Sequence, residues 1–147
     1  VGINLAKMKY IKFLDADDVL LNNATNSLLK ILEKDDRLIL AYGLQRKVLK
    51  LDDVDLKESF DTQNYTKLFY PLKKAMRNSM FNPSQCLVRT ESCKKVGGCD
   101  ERIKFSQEYS LTLKLSRLGS FVRLNHPIAI LPTQAPGQIS EKKVNQI

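Results

Sequence analysis

The 147 residues, 43% hydrophobic and 27% charged, have the size and composition of one globular domain, which excludes a disordered segment and a disulfide-stapled mini-protein. Twenty-four Lys and Arg against 16 Asp and Glu leave a net charge of +8, which favours phosphate-bearing partners, whether nucleic acid, anionic lipid or nucleotide; single lysines such as Lys30, Lys73 and Lys94 serve solubility equally well, and no basic run is interleaved with stacking aromatics. Three cysteines without a C-x-x-C pair and a single histidine argue against a disulfide framework and a zinc site, and no run approaches the roughly 20 apolar residues of a membrane span.

Reduced thiols, and first residues without the apolar core of a signal peptide, lead to the expectation of a cytoplasmic protein. The elements then follow in chain order. Tyr10–Leu14 is a short apolar and aromatic run and reads as a buried strand. Asn22 or Asn23 caps a helix whose apolar positions Ala24, Leu28, Leu29, Ile31 and Leu32 expire near Lys34–Asp36. Leu38–Tyr42 reads as a second strand with Lys47–Leu51 as its hairpin partner, and Asp52–Asn64 as a surface loop or short helix. Tyr65–Met76 has a helical pattern in which Pro71 implies a break or a late helix start.

A strand over Ser84–Arg89 and a short helix over Glu91–Val96 come next. Gly97 and Gly98 punctuate the chain, and Ser106–Leu118 forms a helix capped by Ser106 and ended by Gly119 at C′. Phe121–Leu124 and Ile128–Leu131 read as two terminal strands, and residues 132–147 as a polar tail. No internal repeat or linker divides the chain, so residues 1–147 are expected to form a single domain.

The stretch FLDADDVLL, Phe13–Leu21, concentrates Asp15, Asp17 and Asp18 just beyond the first strand. In an extended turn alternate side chains point the same way, so Asp15 and Asp17 project together past Ala16. Two close carboxylates repel unless a cation sits between them, and Mg²⁺ or Mn²⁺ answers that need, taking one or two carboxylates and completing its shell with water and phosphate oxygens. The carboxyl ends of strands are also where ligands of open α/β sheets gather. The competing reading is that these acids only complement the dipole of the helix that follows.

The run GINLAKMKYIKFLDADDVLL resembles the family-2 glycosyltransferases of GT-A fold, whose D-x-D motif follows such a strand. The later run SQCLVRTESCKKVGGCDERIKFSQEYSLTLKLSRLGSF resembles the acceptor half of the same family: strand, short helix, G-G-F-D-E, then an acidic pair opening a helix. Together the two cover nearly all of residues 2–131. The resemblance implies an α/β fold, a partial GT-A mixed sheet of Rossmann-like type flanked by helices. It also implies transfer of a sugar from a nucleoside diphosphate donor to a saccharide or lipid-linked acceptor.

By the same resemblance, Asp15 and Asp17 engage the donor and the metal, with Asp18 supporting the loop. The family's general base falls at Glu108, the second residue of the pair Gln107-Glu108, with dipole complementation as that residue's alternative role. Gly97 and Gly98 let the backbone pass close to sugar and acceptor, a plain turn being the alternative, and Asp100 is an acidic contact to donor or acceptor.

Five features depart from the family pattern. The βαβ unit that binds the nucleotide base has no counterpart, so these residues correspond to the C-terminal two-thirds of a GT-A domain. Without it Tyr10–Leu14 is expected to leave an exposed apolar edge through which copies self-associate. Met8 and Lys114 replace a usual glycine and arginine, and Cys99 stands where an aromatic is usual. The late histidine that assists metal binding in some members has no counterpart near Ala135–Ser140, and His126 reads as a surface or strand-end residue.

The expectation is a metal-dependent, inverting glycosyltransferase of cell-surface polysaccharide or glycolipid synthesis, cytoplasmic and in peripheral contact with the inner face of the membrane. The alternative is a catalytically incomplete GT-A remnant acting as a binding domain. Nucleic acid is not expected as a partner.

Overall fold

The computed structural model describes residues 2–103 and 106–133. After a short helix α1 (Gly2–Leu5), the chain forms β1 (Tyr10–Lys12), β2 (Val19–Leu20), α2 (Ala24–Leu32), β3 (Leu38–Val48), β4 (Tyr65–Leu68), α3 (Leu72–Ala75), β5 (Cys86–Arg89), α4 (Thr90–Lys95), α5 (Gln107–Ser116) and β6 (Ser120–Pro132). The strands make one mixed sheet in the order β1-β5-β3-β6-β2, with β4 also paired to β6. The β3–β6 pairing is parallel, and the others are antiparallel.

Side chains of the central strands alternate between two cores. On one face Ala41, Leu87, Val122, Leu124 and Ile130 meet Leu28, Ile31 and Leu32 of α2. On the other, Leu40, Tyr42, Val88 and Phe121 meet Leu111 and Leu115 of α5. α2 buries Ala24, Ser27, Leu28, Ile31 and Leu32, a stripe at helical spacing. The second core therefore holds α5 against the sheet, with its first turn at the end where β1 leaves it.

Four local expectations are corrected. Leu38–Val48 is one continuous strand, not a hairpin, because β6 runs beside its whole length and its register shifts at Leu38/Leu40, Tyr42/Leu44 and Leu44/Gln45 absorb the irregularity. The two expected terminal strands are likewise one, with Pro127 seated opposite Leu44 at such a shift, where a missing N–H is tolerated. Tyr65–Leu68 is a strand against β6 instead of the start of a helix, and helical structure begins only after Pro71. Gly119 has no left-handed backbone and is instead a close-packing point, where an added Cβ would lie 2.9 Å from Ile39 Cγ2.

His126 lies away from the acidic turn. Its Nε2 meets Glu58 Oε1 at 2.9 Å, its ring stacks on Phe60, and Arg46 donates to both Glu58 oxygens at 2.8 Å. This cluster straps the Val54–Phe60 segment, part of the stretch that reads as a surface loop or short helix, across β3 and β6. Of the expected polar tail, Pro132 closes β6 and residues 134–147 lie outside the described residues.

Candidate active site

β1 delivers the chain into a tight turn over Asp15–Asp18, closed by the Asp18 N–H donating to the Asp15 carbonyl at 3.2 Å. The extended geometry expected there is replaced by this turn, because both ends are tied down. The Asp15 N–H donates to Ser84 Oγ at 2.9 Å. Ser84 is fully buried in the Pro83–Gln85 turn, and its hydroxyl also bonds the Asp18 carboxylate. Lys12 Nζ donates to the Phe13 carbonyl at 2.9 Å and to the Ser84 carbonyl. The acidic turn is thus fastened from below to the segment that enters β5.

β2 follows the turn, so α2 begins only at Ala24 and has no acid in its first turn. That removes the reading in which the three aspartates serve the dipole of this helix. The carboxylates instead act on one another. Loss of water and then the charges of Asp18, Asp17 and Glu108 raise the Asp15 carboxyl above its ordinary value, against the pull of Lys12. Asp18 is raised as well, by burial first and by Asp17, while its bond from Ser84 and the charge of Lys12 act the other way. Burial lowers the Lys12 ammonium although Cys86, Asp18 and Asp15 favour its charge.

Acids raised first by burial and then by one another's charge are what an added cation would relieve. Among the described residues, however, no three His, Cys, Asp or Glu side chains are grouped so as to hold a metal ion. The residues present fit an ion held by one or two carboxylates, Asp15 and Asp17, with other ligands from substrate and water; they do not fit an all-protein cage.

α5 supplies the facing wall. A cavity of about 550 Å³ is lined by Asp15 from the acidic turn, by Gln107 and Glu108 from the first turn of α5, and by Phe13, Phe81 and Cys99 between them. Glu108 is half-buried, and its carbonyl accepts from Thr112 Oγ1 at 2.9 Å. Ser106 stands at the N-cap position but does not cap: its backbone is left-handed, with φ of 56°, and its side chain makes no capping bond.

Gly97 and Gly98 have φ of +74° and +67°. Gly98 N–H donates to the Cys93 carbonyl and Gly97 N–H to that of Lys94, the bond pattern of a Schellman motif ending α4. Lys114 Nζ holds the Gly98 carbonyl at 2.9 Å. Asp100 is turned to Arg102, whose guanidinium and N–H hold its carboxyl well below the usual carboxylate range, and its own N–H donates to Ser110 Oγ at 3.0 Å. The structure therefore brings Asp15, Gln107 and Glu108 onto one cavity, with Asp17 and Asp18 on the adjoining turn. Gly97, Gly98 and Asp100 do not line it.

Reading the sequence missed Lys12 and Ser84 as supports of the turn and Phe81 as a wall of the cavity. The signal for Lys12 was a cation inside an otherwise apolar strand; Ser84 and Phe81 gave none.

No protein-family model matches this chain, and no curated protein matches it. Among solved structures it is similar to S. aureus TarS. With the crystal structure of TarS 1-349 it shares a TM-score of 0.62 at 10% identity, over 89% of this chain and 38% of that one. With a second TarS structure the TM-score is 0.61 at 14% identity, over 89% of this chain and 23% of that one. The fold is GT-A-like. The chain thus spans well under half of either neighbour, and its curled mixed sheet corresponds to part of a glycosyltransferase fold. No helix among the described residues is long and apolar enough to cross a membrane.

Proposed function

We propose that this GT-A-like domain carries the catalytic portion of an inverting glycosyltransferase, moving a sugar from a nucleoside diphosphate donor to a hydroxyl of a saccharide or lipid-linked acceptor. The observation that carries the reading is the single cavity beyond β1 shared by Asp15 and Glu108. Asp15 and Asp17 would hold Mg²⁺ or Mn²⁺, and Asp18, bonded to Ser84, keeps the turn in place. A bound cation of this kind supplies Lewis-acid stabilisation of the departing diphosphate.

Glu108 is the general base: it takes the acceptor hydroxyl proton while that oxygen attacks the anomeric carbon, and the bond to the diphosphate breaks with its electron pair leaving on the nucleotide. Gln107 lies beside it on the acceptor side. The setting is cytoplasmic, with peripheral contact at the membrane, and the product belongs to cell-surface polysaccharide or glycolipid synthesis.

A second reading, a GT-A-like domain that binds without catalysing, draws on two observations. No trio of candidate ligands is grouped among the described residues, and a lysine already reaches beneath the acidic turn. Calorimetry with Mn²⁺ and a panel of nucleotide sugars, followed by a transfer assay, separates the two. Asp17→Asn should abolish metal-dependent donor binding. Glu108→Gln should keep donor binding and lower turnover by about 10²–10⁴-fold. Binding without transfer in the parent protein would favour the second reading, and transfer undiminished by Glu108→Gln would remove Glu108 from the mechanism.

A further inference from the structure

The strongest unexplained surface lies between β4 and the Pro83–Gln85 turn. From Tyr65 to Thr90 the sequence has Lys67, Lys73, Lys74, Arg77 and Arg89 and no Asp or Glu, in a chain that has 16 acids elsewhere. Within this stretch Tyr70 is 92%, Met76 66% and Phe69 54% exposed. Pro71 and Ala75 are buried and fasten one side of α3 to the body of the protein. Their spacing of four turns the rest of that short segment outward, so Lys73, Lys74, Met76 and Arg77 are all exposed.

Lys67 is bonded to Asp35 and Arg89 to Asp36. Lys73, Lys74 and Arg77 form no ion pair among the described residues. A projecting segment with large apolar side chains at its tip and unpaired cations around it has the chemistry of an interfacial anchor. The aromatic and thioether groups enter the headgroup–acyl boundary while long basic side chains stay with anionic headgroups.

We propose that Phe69–Arg77 is a docking surface for an anionic lipid bilayer. Charge complementarity chooses this occupant: the segment carries three unpaired cations and no acid, and anionic headgroups supply the opposite charge. The chain continues from this segment directly into Met80 and Phe81. Phe81 lines both the cavity shared by Asp15 and Glu108 and a second hollow of about 320 Å³ that Met80 and Gln45 also line. Docking therefore sets a segment only a few residues from one wall of the candidate active site against the membrane. That consequence bears on a lipid-linked acceptor only if the proposed transfer is right, whereas docking itself is independent of the reaction.

The test is co-flotation of the full chain with vesicles of equal parts phosphatidylglycerol and phosphatidylcholine, and with pure phosphatidylcholine. Binding is expected to the first and not to the second, and to weaken by at least about fivefold for each of Lys73→Glu and Lys74→Glu, since each removes a cation and adds an anion. The Tyr70→Ser/Met76→Ser variant, exposed at both sites, should weaken it at unchanged net charge. A control with the same charge change at distant exposed positions, Lys30→Glu/Lys47→Glu, should retain most of the binding.

Failure to float with anionic vesicles overturns the proposal. So does an equal loss from the control pair, which would reduce the effect to net charge, or full retention by Tyr70→Ser/Met76→Ser. Displacement from vesicles by an equal charge of duplex DNA, with the same variants impaired in DNA binding, would assign the surface to nucleic acid and overturn it as well. Each of these outcomes is read without any transfer assay.

Discussion

Asp15 sits where three influences meet: the Ser84 hydroxyl fixes its backbone, Lys12 reaches toward it from below, and Asp18, Asp17 and Glu108 oppose its charge. An acid whose pKa is higher in the folded than in the unfolded chain binds its proton more tightly when folded. It therefore subtracts from stability as pH rises above the ordinary value of 3.8, and subtracts nothing well below it. Asp15→Asn should accordingly raise the thermal midpoint by a few degrees at neutral pH, with the gain fading on acidification toward 3.8. A pH-independent effect, or a loss at neutral pH, in parallel melts would show that the repulsion is already compensated. Mn²⁺ should stabilise the parent protein by mass action and the Asn variant less.

The aspartates of this site were legible because acids clustered after an apolar run have few structural uses. Glu108 was legible only through resemblance to a family. Ser84 was not legible, since a buried serine that binds a turn from 69 residues away has no local pattern.

At the level of elements, the joint between β3 and β6 depends on Gly43. A Cβ added there would lie 2.6 Å from Ile128 Cγ1 and 2.9 Å from Ile128 Cγ2, and Ile128 is itself fully buried. Gly43→Ala must displace a core side chain, and overpacking of this kind costs about 1–3 kcal/mol. Urea denaturation should show a lower midpoint with an unchanged slope, whereas Gly2→Ala, with nothing within 4 Å, should be neutral apart from local helix propensity. The same glycine explains a misreading. Gly43 and the Asn125–Pro127 stretch resemble turn punctuation, so each long strand was divided in two. Only the pairing of the two strands, which neither segment encodes alone, reveals that the irregularities sit side by side as register shifts. Helices α2, α4 and α5 were located correctly because their apolar spacing is local.

For the whole molecule, the sheet ends at β1, which pairs with β5 on one side and with no other strand among the described residues. Tyr10 at this edge carries Lys9 Nζ 5.3 Å and the Arg89 guanidinium 5.5 Å from its ring centre. Lysine at an edge is a usual guard against strand addition, but a three-residue strand with open backbone groups still invites pairing. Self-association through this edge is therefore expected to be weak and reversible. Sedimentation velocity should show a species whose mass rises with concentration, and a single monomer across the whole range would refute the expectation.

The parallel β3–β6 pair has a further consequence for how the chain is made. β6 is the last strand described, and it covers β3 from end to end. During vectorial synthesis β3 leaves the ribosome well before its companion exists, so an apolar ribbon waits without β6 while the intervening residues are made. Closing so long an intervening stretch is entropically slow, which makes the interval before β6 arrives the period when a nascent chain most needs shelter from its neighbours.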